Sequence, residues 1–405
     1  GISNSLTMLP NVLGKGRISK KKKAVCFLAF SFITTLSGLI SIHVSKSNDL
    51  LRSSLELSSM TYNEIDEVPM EILKTRPKKK AAVVPPLPNG LLANSFRYVM
   101  DRINKQNQAA KDTLLPSSHA EKKFIVWIAS YWRSGSTFLG DYLQHFPASF
   151  YLFEPFHAFG TVTRIREDQT YSEAWRLMDN FVSCNFAGAD RYLNHIRVRN
   201  NTWLQNWSQF RNTCSLFEPS CYNPTVLNLA CSSSYMHIIK TVRLPLTGSR
   251  KLLLANPNLR IIHLVRDPRA IMNSRMKLAW CQNSTCANSK ETCADMRQDI
   301  EEGNKISQEF PERYYRLQFE KFAEQPNKEA NKLFSRFGWP KIDILDRYLD
   351  THTKSNLTDE TKNAYSTYRK SQEVVNKWQK ELNGDEVFEI SNNCYDVLKL
   401  LNLSK

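Results

Sequence analysis

The 405-residue sequence has no D-x-D triplet, the carboxylate pair with which many glycosyltransferases hold a metal. No other carboxylate cluster suited to a hard cation stands out. Its cysteines include no C-x-x-C pair and no histidine cluster accompanies them, which argues against a zinc site. A G-x-x-x-x-G-K-[ST] loop is missing, which disfavours a nucleoside triphosphatase. There are no internal repeats, so the chain is not a solenoid or propeller. Between Ala24 and Val44 there is not one Asp, Glu, Lys or Arg.

That last absence is the first positive signal. The stretch is about as long as one bilayer crossing requires, and it is apolar on all faces, unlike a surface helix. It is long for a cleaved signal peptide, and no small-x-small cleavage site follows it. Lys15, Arg17, Lys20, Lys21, Lys22 and Lys23 precede it, which places residues 1–23 in the cytosol and everything after Val44 in a lumen. Cys26 falls in the span. The other eight cysteines, Cys184, Cys214, Cys221, Cys231, Cys281, Cys286, Cys293 and Cys394, form an even set that reads as a disulfide framework. Five N-x-S/T sequons, at Asn200, Asn206, Asn283, Asn356 and Asn402, fit the same compartment.

Lys and Arg number 55 against 39 Asp and Glu, a formal charge of +16. Such an excess favours acidic partners: nucleotide phosphates, anionic glycans or anionic membrane. Part of it comes from Lys20–Lys23 and Lys78–Lys80, outside the expected folded domain. A lumenal domain would not meet nucleic acid.

Residues 45–121 are polar and uneven and read as a stem, semi-extended around Val84–Pro88, with a helix expected over Leu91–Gln108. From Lys122 to the end, apolar runs at Phe124–Ala129, Phe150–Phe153, His237–Val242, Arg260–Val265 and Tyr314–Phe319 alternate with helical patterns. Helices are expected after Thr137, around Ser172–Asn180, after Pro268 and over Asn327–Phe337. This alternation predicts an α/β domain with a mainly parallel sheet and flanking helices. Ligands of such sheets collect at the carboxyl ends of the strands.

Two strand ends carry phosphate chemistry. In the first, FIVWIA runs through Ser130-Tyr131-Trp132 into Arg133-Ser134-Gly135-Ser136-Thr137-Phe138, a P-loop-like turn opening a helix. Backbone amides at the helix start, with the hydroxyls of Ser134, Ser136 and Thr137, can surround an anion. Arg133 adds a fixed fork of donors. An ordinary turn with an N-cap serine is the plainer alternative. In the second, RIIHLV ends at Arg266, Pro268 starts a helix, and Ser274 follows about two turns on. Arg266 and Ser274 can then meet one phosphate, although Arg266 and Asp267 can equally form a local ion pair. His263, inside the strand, reads as a packed core histidine.

These two elements resemble the nucleotide-binding elements of the sulfotransferase superfamily. The RSGST form is similar to that of the Golgi carbohydrate 6-O-sulfotransferases acting on galactose, N-acetylglucosamine or N-acetylgalactosamine. Further segments match in order: YLFEPFHAFG at Tyr151–Gly160, IKTVRL at Ile239–Leu244, and the late Ser366, Thr367, Arg369 and Trp378. The resemblance covers roughly Lys122 to Cys394. It implies that the first loop, Arg133 to Phe138, holds the 5′-phosphosulfate of 3′-phosphoadenosine-5′-phosphosulfate (PAPS). Arg266 and Ser274 hold the 3′-phosphate, and Arg369 also contacts the donor. There are departures. The family's Arg-Tyr-Glu-Asp-Leu stretch is here Gln318-Phe319-Glu320-Lys321-Phe322, sharing only Glu320, and Cys184–Cys231 is unfamiliar.

The resemblance implies sulfuryl transfer from PAPS to a sugar hydroxyl, the 6-OH, on a glycoprotein or proteoglycan glycan. It favours Glu154 as general base, with His157 as the rival because its ordinary pKa lies nearer neutrality. Arg133 braces the reacting charge. Lys240 and Arg243 add positive charge or hold an anionic glycan, unless they form a solvated strand end. No metal is required. The expected enzyme is a single-pass type II Golgi membrane protein, monomeric or homo-oligomeric. The alternatives are a non-catalytic lumenal heparin- or glycan-binding protein and another Golgi glycan-modifying transferase.

Overall fold

Buried, largely apolar runs become strands here because both of their faces are covered. In the computed structural model, Phe124–Ala129 (β1) and Ser149–Phe153 (β2) are buried at every residue. Met236–Thr241 (β3) is likewise buried throughout, and Leu259–Val265 (β4) nearly so. Tyr314–Gln318 (β5) is half-buried and forms an edge. The strand order is β2-β3-β1-β4-β5 and every pairing is parallel. Trp127 at the centre lies opposite Ile239 on β3 and Ile261 on β4.

The structure describes residues 91–114, 123–198, 222–353 and 371–403, apart from 163, 167–169 and 283. The span expected at 24–44, the stem before residue 91, Cys214, Cys221, Ser366, Thr367 and Arg369 lie outside these residues. So do the sequon asparagines except Asn402. Among the described residues no helix is long and apolar enough to cross a membrane.

Leu91–Leu114 (α1) is longer than the helix expected there, and its buried Asn107 donates to Ser233 Oγ (2.9 Å). Ser233 ends Pro224–Ser233 (α2), the helix before β3. Ser136–Gln144 (α3) follows β1, Pro268–Arg275 (α4) follows β4, and Phe319–Glu324 (α5) follows β5. Pro326–Phe337 (α6) has proline in its first turn and ends at Gly338 in left-handed backbone, the usual asymmetry of helix starts and stops. Between β4 and β5 runs Ser289–Glu309 (α7), 21 residues long and capped by Asn288, which accepts from the Glu291 amide.

Three disulfides lie among the described residues: Cys184–Cys231, Cys281–Cys286 and Cys293–Cys394. The last ties α7 to the C-terminal helices, where Ile271, Met296, Ile300, Ile390 and Val397 share one apolar cluster. His237 lies beside Cys184 and Cys231, but those sulfurs are bonded to each other and offer no thiolate.

The topology also fixes where a ligand belongs. The chain leaves β1 toward the β2 edge and leaves β4 toward the β5 edge, yet β1 and β4 are neighbours. A crevice therefore opens between their carboxyl ends, the switch point at which parallel sheets hold ligands.

Candidate active site

The β1 end enters the crevice through a strained turn. Arg133 (φ 68°) and Gly135 (φ 92°) both take left-handed backbone. A side chain at Gly135 would be strained there, and its Cβ would overlap the Phe319 ring. Ser134 is fully buried. Its hydroxyl donates to the Tyr131 carbonyl (2.8 Å) and accepts from the Tyr131 amide (3.4 Å), so this side chain shapes the loop. Gly135 caps α3 without a side-chain hydrogen bond. The amides of Ser136, Thr137 and Phe138 thus form an uncapped helix start, suited to an anion. The Phe138 ring packs on Phe322 (5.7 Å) and Tyr348 (6.0 Å), which leaves its amide as the part able to serve an anion.

The β4 end is built differently. Asp267 caps α4, accepting from the Arg269 amide (2.8 Å), and pairs with the Arg269 guanidinium (2.8 Å). This helix start is closed by its own carboxylate. Arg266 donates Nη1 to the Arg133 carbonyl (2.9 Å) and Nη2 to the Val374 carbonyl (3.3 Å), and lies 4.4 Å from the centre of the Phe319 ring. The local ion pair left open for Arg266 and Asp267 is therefore taken by Arg269. Arg133 Nε donates to Ser274 Oγ (2.9 Å). Two bonds, Arg133 to Ser274 and Arg266 to Arg133, thus join the loops across the crevice. The Gln318–Phe322 run supports both: Phe319 lies against Gly135 and Arg266, and Glu320 Oε1 accepts from the Asp267 amide (2.8 Å).

Glu154 directly follows β2, also in left-handed backbone (φ 44°). One carboxylate oxygen pairs with Lys240 Nζ and the other with Arg243 Nη1 (2.6 Å). Lys240 and Arg243 are only 1% and 2% exposed, so neither is a solvated strand end. Arg243 gives its remaining donors to the Gly160 carbonyl (Nε, 2.8 Å) and the Thr161 carbonyl (Nη2, 2.6 Å). Burial alone pushes the Glu154 carboxyl up, but the two cations outweigh it and hold it below the ordinary carboxylate value. Burial lowers the Lys240 ammonium, Glu154 opposes that, and Arg243 and Arg133 lower it further. One field therefore connects Arg133, Lys240, Arg243 and Glu154.

His157 is buried on the single turn after Glu154, and its Nδ1 lies 3.1 Å from His195 Nε2. Beneath the first loop runs a buried polar chain. Arg164 pairs with Asp299, whose carboxylate also accepts from Tyr131 OH (3.1 Å) and the Leu246 amide (2.8 Å). Tyr131 OH meets His263 Nε2 (3.0 Å), and His263 Nδ1 meets Tyr314 OH (2.9 Å). His263 is thus a satisfied core residue that positions Tyr131. Sequence reasoning missed Phe319, Arg164 and Asp299. Each acts on a partner far along the chain, and no local motif signals that.

The sulfotransferase family model matches residues 126–343, which take in both loops, Glu154, Lys240 and Arg243. Human carbohydrate sulfotransferase 5 is 27% identical over 330 residues, covering 71% of this chain and 79% of that protein. Human carbohydrate sulfotransferase 6 is 28% identical over 329 residues, covering 71% and 82%. Carbohydrate sulfotransferase 3 of Tetronarce californica is 25% identical over 366 residues, covering 77% and 80%. Among solved structures, the sulfotransferase domain from the Synechococcus PCC 7002 olefin synthase aligns with a TM-score of 0.37 and 16% identity, over 68% of this chain and 96% of that one. With more than half of its length matched, the chain belongs to the sulfotransferase family.

Proposed function

We propose that the chain transfers a sulfuryl group from PAPS to a sugar hydroxyl, the 6-OH of galactose, N-acetylglucosamine or N-acetylgalactosamine, on glycoprotein or proteoglycan glycans. The workplace is the Golgi lumen, with residues 24–44 as anchor. The observation that carries this reading is Arg133, bonded to Ser274 and to Arg266 beside the uncapped start of α3.

The residues present fit the donor. Gly135 lets the Phe319 ring lie against the loop without a clash, and the amides of Ser136, Thr137 and Phe138 with Arg133 supply donors for the 5′ end. Arg266 and Ser274 serve the 3′-phosphate, joined by Arg369. When bound, PAPS supplies an activated sulfuryl group. The protein then has to orient an acceptor hydroxyl, take its proton and balance negative charge.

Glu154 takes the proton in this reading. A carboxylate has about four lone-pair sites, and its two cations use only part of them. Lys240 and Arg243 fix its direction and keep it ionised, and through it they border the acceptor. They also weaken it as a base, so its contribution lies toward the lower end of the roughly 10²–10⁴-fold typical of such groups.

The test is to incubate the full chain with PAPS carrying radiolabelled sulfate and with glycans ending in each of the three sugars. Label should appear on one acceptor class, at O6. The reading fails if protein that binds the donor moves no label to any of them.

A further inference from the structure

One buried carboxylate, that of Asp299, reaches three separate pieces of the site. It stands in the middle of α7 and is only 3% exposed. Its Oδ2 pairs with Arg164 and accepts from Tyr131 OH (3.1 Å), and its Oδ1 accepts from the Leu246 amide (2.8 Å). These partners lie 135, 168 and 53 residues away along the chain. The helix itself does not ask for this residue, since aspartate is a poor helix former and is rarely so deeply buried.

Each partner leads to a different group of the proposed reaction. Tyr131 is the root of the first loop: its carbonyl and amide hold the Ser134 hydroxyl, and Arg133 lies between them in sequence. Leu246 lies three residues beyond Arg243 in the turn after β3. Arg164 donates Nη1 to the Val242 carbonyl (3.1 Å), and Ile165 donates its amide to the Arg243 carbonyl (2.9 Å). Arg243 in turn holds Glu154. Asp299 therefore ties the donor loop and the support of Glu154 to one point. The direction of the Tyr131 bond is also set. That hydroxyl has one proton, and a carboxylate paired with Arg164 only accepts, so the proton points to Asp299. His263 Nε2–H then donates to the Tyr131 oxygen (3.0 Å), and Nδ1 accepts from Tyr314 OH (2.9 Å). Burial, Arg316 and Arg164 hold the imidazole well below its ordinary value, in the neutral form this pattern needs. Burial first, and then Asp299, push the Tyr131 hydroxyl well above its ordinary value, so it stays a donor.

We propose that Asp299 is a positioning residue for the transfer step: it sets the register between the donor loop at Arg133 and the Arg243–Glu154 pair, and so the line along which the acceptor hydroxyl meets the sulfuryl group. This rests on the function proposed above. In that step a lone pair of the acceptor oxygen forms the new O–S bond. The bond from sulfur to the 5′-phosphate oxygen breaks, its electron pair leaves on the nucleotide, and the acceptor's proton passes to Glu154. The donor loop keeps its shape without Asp299, because Ser134 is bonded to Tyr131 within it and Arg133 and Arg266 join it to the β4 end. What Asp299 adds is its alignment with the end of β3. Its loss should spare donor binding and slow the step in which the two halves must line up, where a displacement of about 1 Å can cost about 10²-fold.

The test uses the full chain, PAPS carrying radiolabelled sulfate and glycans ending in galactose, N-acetylglucosamine or N-acetylgalactosamine, at a temperature well below each variant's melting midpoint. Tyr131→Phe keeps the ring and removes one hydroxyl. Asp299→Asn keeps the shape, but it also leaves Arg164 without its counter-ion and lowers the midpoint, so Tyr131→Phe is the deciding variant. The expected kcat falls about tenfold in Tyr131→Phe and about 10²-fold in Asp299→Asn, while acceptor KM and the Kd of adenosine 3′,5′-bisphosphate change by less than about threefold. The double variant should lose less than the product of the two, because they share one bond. A purely structural residue would lower the midpoint and leave kcat intact, and that result in Tyr131→Phe overturns the proposal. A loss confined to nucleotide affinity overturns it as well, since Asp299 would then support the donor loop alone. If the wild type binds the nucleotide but labels none of the glycans, the transfer reading itself fails and takes the proposal with it. Transfer by the wild type with an unchanged kcat in the variant overturns only the role of Asp299.

Discussion

Replacing Glu154 with Gln tests the catalytic centre and its architecture together. The carboxylate sits between Lys240 and Arg243, both almost completely buried. Gln keeps the shape and removes the charge, leaving two cations in a low-dielectric site. Breaking a buried ion pair from one side costs about 3–5 kcal/mol. At about 2–4 °C per kcal/mol for a domain of this class, the melting temperature should fall by roughly 6–20 °C. The loss of activity therefore has to be read well below that midpoint, on protein shown to bind the donor product, adenosine 3′,5′-bisphosphate (PAP). Under those conditions kcat should fall by about 10²-fold or more, with PAP affinity changed little. Adding Lys240→Met removes one stranded cation and should restore part of the stability but none of the turnover, a coupling that a double-mutant cycle measures. An unchanged melting temperature for Glu154→Gln, or strict additivity with Lys240→Met, would refute the buried triad.

Gly135→Ala should weaken PAP binding at least tenfold. It should also destabilise the fold by more than the ~1–2 kcal/mol of left-handed backbone alone, because the Cβ overlaps Phe319; adding Phe319→Ala should return only the overlap part. Replacing Cys293 and Cys394 by Ser opens a loop of 101 residues and should cost about 2–5 kcal/mol, read from denaturant midpoints in oxidising buffer. Burial and then Lys123 lower the His237 imidazole, and burial, Arg316 and Arg164 lower that of His263, both well below the ordinary value. The unfolded chain therefore binds protons first as pH falls below about 6.5. Stability should drop there by up to about 1.4 kcal/mol per pH unit for each histidine, and a flat profile from pH 7 to 5 would contradict this.

The strands were readable because a parallel sheet buries both faces and leaves unbroken apolar runs. Phe124–Ala129 is a strand from end to end, and the other runs are displaced by a residue or so. Phe319, expected to finish β5, instead opens a helix. The helix Ser289–Glu309 was not legible, because its buried face carries Thr292, Cys293, Asp299 and Gly303 among few apolar residues. In the site, Arg133 and Arg266 could be picked out from loop composition at strand ends. The bonds that join them could not, since Arg133 and Ser274 are 141 residues apart. The same holds for Glu154, whose partners lie 86 and 89 residues away. What looked like a loss in Gln318–Phe322 is a set of packing contacts that only the folded chain reveals.

The most direct test of the account is titration of PAP into the full chain by calorimetry, for the wild type and Arg133→Ala. The account predicts one site in the wild type and a loss of about tenfold or more in the variant, whose melting temperature stays close to the wild type's. A folded wild-type protein that binds no PAP, or an Arg133→Ala variant that binds it equally well, would contradict the assignment of the β1–β4 crevice to the sulfuryl donor.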